Sequence, residues 1–144
     1  MISLPMADAN PRNIADDFRE KAALRGLVGA ANFTKWNELI SFVRGMSGWR
    51  PSYRSKSVTG HVSDWDVEWF YHLPFPFTCV QWFDIGLHER TQMGRLMPPK
   101  ITDHSDEIIS MIQRIGFEYE VQKDIVRIWG YLPRCHEDFP PVER

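Results

Sequence analysis

A chain of 144 residues, 43% hydrophobic, 13% aromatic and 25% charged, has enough apolar material to bury one core without metals or disulfides. It has no apolar run of the roughly 18 residues that would span a bilayer, and a formal net charge of −2 argues against an extended nucleic-acid surface, which needs clustered cations. Met1-Ile2-Ser3-Leu4-Pro5-Met6 has neither the basic nor the long apolar region of a secretory leader, and Cys79 and Cys135 read as free thiols in a reducing, cytoplasmic compartment.

Met1 to Asn10 are expected to fray, and Asn10-Pro11 offers a cap followed by proline at a first helical position. Ile14, Phe18, Ala22 and Leu24 to Val28 then form a thin apolar stripe, which predicts a helix ending near Gly29 and docked as an appendage. The next pattern is stronger. Phe33, Trp36, Leu39, Ile40, Val43 and Met46 recur at three and four, so they share one helix face; Asn32 or Thr34 caps the start, and Gly45 with Gly48 stops it. This helix is expected to cover the apolar face of a sheet.

Trp49-Arg50-Pro51-Ser52 leads into an expected strand, Tyr53 to Val62, and then into the aromatic-rich stretch Gly60 to Leu87. A turn at Asp64-Trp65 sets Val62 opposite Val67, His61 opposite Glu68 and Gly60 opposite Trp69, placing Val58, Val62, Val67, Trp69 and Tyr71 on one apolar face. A second hairpin turning at Pro74-Phe75-Pro76-Phe77 sets Trp69 opposite Trp82. Glu68, Phe70 and His72 then share a mixed outer face with Cys79, Gln81 and Phe83.

His88 to Lys100, with Gly94, Pro98 and Pro99, reads as a long loop. Asp103 caps a third helix with Asp106 and Glu107 in its first turn, Ile108, Ile109, Ile112 and Ile115 along its stripe and Gly116 at its end. Phe117 to Val121 alternates, Gln122-Lys123-Asp124 turns, and Ile125 to Leu132 returns as the last strand. The expected organisation is an extension with a docked helix (1–31), a single domain (32–132) and a surface tail (133–144). Its class is α+β, a mainly antiparallel sheet of about five strands in the order α-α-β-β-β-α-β-β, with helices packed on one face.

Asn32-Phe33-Thr34-Lys35-Trp36, Arg50-Pro51-Ser52-Tyr53-Arg54-Ser55-Lys56, the core Gly60-x-x-x-x-Trp65-Asp66-x-Glu68-Trp69-x-Tyr71-His72 and the late Gly130-Tyr131 resemble a small uncharacterised bacterial domain family of unknown function. The resemblance spans Asn32 to Leu132. Such domains are similar to immunity proteins encoded beside bacterial toxins. The resemblance therefore implies a cytoplasmic binder that blocks a partner toxin domain, and it brings no catalytic residue.

The chemical alternatives are weaker. Glu68 and His72, four residues apart on a strand, would stand about 13 Å apart, too far for one metal, and His61 with Glu68 supplies two ligands where zinc needs three or four. Cys79 opposite His72 has the form of a thiol and base pair, but a mid-strand cysteine among aromatics is usually a small buried hydrophobe. Asp66 and Glu68 share a face about 6.6 Å apart, a separation open to acid–base chemistry, although acids at a hairpin tip are usually solvated. Arg44, Arg50, Arg54 and Lys56 with Trp49 and Tyr53 suit a single strand of nucleic acid no better than a guarded sheet edge.

The expectation is thus a non-enzymatic protein binder with no metal and no cofactor, contacting neither nucleic acid nor membrane. Its partner-binding residues are Asp64, Trp65, Asp66, Glu68, Phe70 and His72: the acids meet a basic cleft and Trp65 anchors. The alternative is a small enzyme or ligand-binding domain using a cleft between the sheet face and the 88–100 loop.

Overall fold

The computed structural model describes residues 13–142, so the fraying expected for Met1 to Asn10 and the Asn10-Pro11 cap lie outside the described residues. Helix α1 (Ile14–Leu24) starts at Asn13, whose side chain accepts from the Ala15 N–H, and it is seated by Ala22, buried beside Val58 and Tyr131. Helix α2 (Phe33–Arg44) follows the expected stripe: Trp36, Leu39, Ile40 and Val43 are buried, Asn32 caps it through the Lys35 N–H, and Gly45 ends it. Helix α3 (Ser105–Ile115) buries Ile108, Met111 and Ile112 and stops at Gly116, whose φ of 93° suits glycine. No described helix is long and apolar enough to cross a membrane.

Among the described residues eight strands complete the α+β fold: β1 (Val28–Gly29), β2 (Tyr53–Ser57), β3 (Val80–Gly86), β4 (His88–Thr91), β5 (Lys100–Asp103), β6 (Glu118–Gln122), β7 (Ile125–Trp129) and β8 (Tyr131–Leu132). The main sheet runs β2-β3-β7-β6, antiparallel throughout; β1 pairs with β8, and β4 with β5. Strand parity divides the main sheet into two unlike faces. Tyr53, Phe83, Ile85, Val126 and Ile128 lie on the face covered by α2 and α3 and join their side chains in the principal core. Arg54, Trp82, Asp84, Arg127 and Trp129 alternate with them on the other face. The β6–β7 hairpin turns at Lys123-Asp124 as expected and belongs to this sheet.

Three strand assignments differ from the pattern in the sequence. The turn after β2 falls at Val58-Thr59-Gly60, not at Asp64-Trp65. Gly60 sits at φ 102°, so its role is backbone conformation and not room for an indole. The chain then runs back along β2, with Ser57 N–H bonded to His61 O, Ser63 N–H to Ser55 O and Tyr53 paired with Asp66, and it closes that edge of the sheet. Val58 and Trp69 are buried, but Val67 is 66% and Tyr71 91% exposed, because the segment after Asp66 is a loop without strand parity. The second expected hairpin is also absent: Trp82 faces Trp129 and Lys56, not Trp69, and Phe77–Cys79 is a short 3-10 turn leading into β3. The third difference is the segment read as a long loop, which is a hairpin of β4 and β5 joined by residues 92–99.

The tail crosses the second face of the sheet. Arg127, fully buried, donates to the carbonyls of Cys135 (3.0 Å) and Glu137 (2.7 Å), and Phe139 is buried against Trp82 and Trp129. A sheet face that mixes charge and aromatic rings does exist, but it is built from other residues than expected. The chain's own end seals it.

Candidate functional site

With both sheet faces covered, the exposed apolar chemistry of the expected site lies in the loop from Asp64 to Phe75. Trp69 roots it. Its indole is buried against Tyr53 and Phe83, and Nε1 donates to Pro51 O at 2.8 Å. Leu73 enters the same core, as does Phe77 just beyond the loop, so the loop is held at Trp69, at Leu73 and at its exit.

Around the first of those anchors, two of the three acids expected to reach a partner, Asp66 and Glu68, are turned onto the loop's own backbone. Asp66 Oδ1 accepts from the N–H groups of Val67 (2.7 Å) and Glu68 (2.9 Å), while Oδ2 meets His72 Nδ1 at 2.8 Å. Glu68 accepts from the N–H groups of Phe70, Tyr71 and His72. The bond from the Glu68 N–H chiefly holds the Asp66 carboxyl below its ordinary value. For Glu68, burial pushes the carboxyl up, but the three N–H donors and the nearby His72 outweigh it and the net shift is down. These carboxylates are structural ligands of a backbone nest.

The remaining predicted residues separate into two groups. Asp64 and Trp65 lie at the rim of a cavity of about 530 Å³ shared with Glu137, Asp138 and Val142 of the tail, and the Trp65 ring stands 5.1 Å from the Arg54 guanidinium. Phe70 and His72 lie further along. Phe70 is 46% exposed, its ring centroid 5.2 Å from both the Arg44 and the Arg50 guanidinium carbons. Arg44 Nε donates to Trp69 O at 2.8 Å, and Arg50 caps the carbonyls of Val43 and Arg44, so the end of α2 fixes the loop's crest. Tyr71 and Val67, which strand parity placed on the apolar face, and Phe75, expected in a turn, are more exposed than Phe70. The signal for them was available: without an Asn-Gly or Asp-Gly turn at Asp64-Trp65, nothing forced Tyr71 into a strand.

The other chemistries weighed from the sequence meet a different geometry. Cys79 does not face His72; its thiol donates to Pro74 O at 3.7 Å, and burial pushes it up to about 11. His61 is exposed at the β2 turn and is not paired with Glu68. The expected wall of a ligand cleft, residues 88–100, is itself the exposed β4–β5 hairpin.

A family model matches residues 18–135, most of the chain, from within α1 to the start of the tail. The chain belongs to a family of unknown function, DUF6678. The match extends beyond Asn32 to Leu132 at both ends, so α1 from Phe18 onward and the first tail residues fall within the DUF6678 match. No curated protein and no solved structure matches the chain.

Proposed function

We propose that this DUF6678 domain is a non-enzymatic binding protein of the immunity type, which docks its aromatic loop on a partner toxin domain in the bacterial cytoplasm and blocks it. The observation that carries the proposal is the crest of that loop. Phe70 and Tyr71, neighbours in the chain, are both exposed on a backbone held by Asp66, Glu68 and Arg44, and Val67 and Phe75 of the same loop are exposed as well. Hot spots are typically aromatic and arginine residues on a pre-organised surface, because little side-chain or loop entropy is then lost on docking.

Within this reading the six expected contacts divide their work. Phe70 and His72 touch the partner together with Tyr71; Asp66 and Glu68 shape the loop; Asp64 and Trp65 form its outer flank. Co-expression with the product of the adjacent gene tests the proposal, and Phe70→Ala with Tyr71→Ala should weaken binding by at least about 2 kcal/mol, roughly thirtyfold.

One observation favours a second reading, a ligand-binding domain. A cavity of about 350 Å³ among α1, α2 and β8 is lined by Phe33, Trp36, Phe77 and Tyr131, and the buried Thr78 Oγ1 at its wall has no hydrogen-bond partner among the described residues. Substrate binding that is lost on filling this cavity, with partner binding intact, would favour that reading.

A further inference from the structure

The β4–β5 hairpin stands apart from the rest of the molecule. From His88 to Asp103 no residue is buried, and the two strands pair only with each other. A lone two-stranded hairpin is at best marginally stable in water, and each of its outer edges presents unpaired backbone groups. It is also strongly apolar: at its far end Leu96 is 96% exposed, Met97 59% and Met93 50%, and Ile101 within β5 is 54% exposed. These features together call for a partner.

Charge says which partner. From Arg90 to Thr102 the sequence holds Arg90, Arg95 and Lys100 and no acid, a charge of +3 in a chain whose total is −2. The root is the opposite. Glu89, Asp103, Asp106 and Glu107 cluster there, and no lysine or arginine occurs between Ile101 and Gln113. The root is also firmly held: His104 stacks on Trp49 with centroids 4.0 Å apart and meets Glu89 at 2.8 Å, while its N–H bonds Leu87 O. An arm with a fixed root, a cationic, apolar tip and an acidic base is self-complementary when a second copy lies antiparallel to it, each tip over the other's root.

We propose that this arm is a homodimerisation element, in which two copies pair the outer edges of β5 about a two-fold axis. The symmetry selects the strand. An axis through β4 sets Glu89 against Glu89 or Arg90 against Arg90, whereas an axis at Ile101 of β5 sets two exposed isoleucines together and Lys100 opposite Thr102. Met93, Leu96 and Met97 are then covered, and Arg95 of each tip approaches Asp106 and Glu107 of the other root. Burial of the apolar side chains supplies most of the affinity, and the exposed charges set the orientation. The interface is independent of the aromatic loop, so its success or failure leaves the docking proposal untouched.

Sedimentation equilibrium on the full chain tests the inference. The expected mass is twice the 16.9 kDa of one chain. Leu96→Asp with Met97→Asp, or Arg95→Glu with Lys100→Glu, should weaken association at least about tenfold, with the circular dichroism unchanged. Mixing the Arg95→Glu/Lys100→Glu chain with an Asp106→Lys/Glu107→Lys chain should restore a heterodimer that neither forms alone. Should the root variant fail to fold, Ile101→Arg serves as the second interface variant, and it should also give a monomer. The inference is overturned if the native chain stays monomeric into the millimolar range, if the tip variants dimerise as well as the parent, or if a monomeric chain floats with vesicles containing anionic phospholipid, which would assign the arm to a membrane surface.

Discussion

Trp69 and Tyr71 are two residues apart, yet one is fully buried and the other 91% exposed. In a strand they would share a face; here the Glu68 carboxylate gathers the N–H groups of Phe70, Tyr71 and His72 and turns the chain between them. Trp69 is therefore the residue on which the loop's position depends. Trp69→Ala removes a buried indole and the bond to Pro51 O, and it should cost about 3–5 kcal/mol in urea unfolding. A cost near zero would mean that the loop is held elsewhere.

Residue identity was the part of this site least legible in the sequence. The density of aromatics in 60–87 drew attention to the right stretch, and Trp69 was correctly assigned to the core. Parity could not sort its neighbours, because it applies only where a ladder fixes the chain, and the pairing of the returning chain with β2 ends at Asp66. Gly60 was the misread signal: an absent side chain can mean space for a neighbour or a positive φ, and composition alone does not distinguish them.

At the scale of elements, α2, α3 and the β6–β7 hairpin were legible because each has a local period and a local stop. The loop and the tail were not, because their partners are distant in sequence: Arg54 meets Asp138, and Asp84 is bound by both Arg54 and Arg127. Burial pushes the Asp84 carboxyl up while the two guanidiniums pull it back, and Arg127 lies 3.6 Å over the Trp82 ring. Removing one member of such a group leaves buried charge uncompensated. Arg127→Met should therefore destabilise the fold by about 3–5 kcal/mol and release the tail, seen as faster amide exchange across 133–142.

The loop has its own dependence on pH. Asp66 and Glu68 titrate below their ordinary values of 3.8 and 4.5 when folded, so between folded and unfolded values they hold fewer protons in the folded chain. Their stabilisation is complete above those ordinary values and drains away as pH falls through the lower folded ones. Backbone amide signals of Phe70 to His72 should shift as the pH is lowered through that acidic window, and in Glu68→Gln this transition should be lost. An unchanged transition in that variant would contradict the nest described for Glu68.

For the whole molecule, a sheet covered on one face by helices and on the other by the tail leaves the proposed docking to what lies outside it. Among the described residues, the aromatic crest beside the end of α2 and the cationic arm of β4 and β5 carry exposed apolar side chains. Each has fixed roots and exposed apolar side chains, which suits pre-organised contact. The central claim is that the crest captures and silences a toxin. The most direct measurement is survival of cells making the adjacent gene's product together with this chain, native or carrying Phe70→Ala and Tyr71→Ala, with folding checked by circular dichroism. Protection by the native chain and its loss in the folded double variant is the result expected; equal protection by both, or no protection by the native chain, would contradict it.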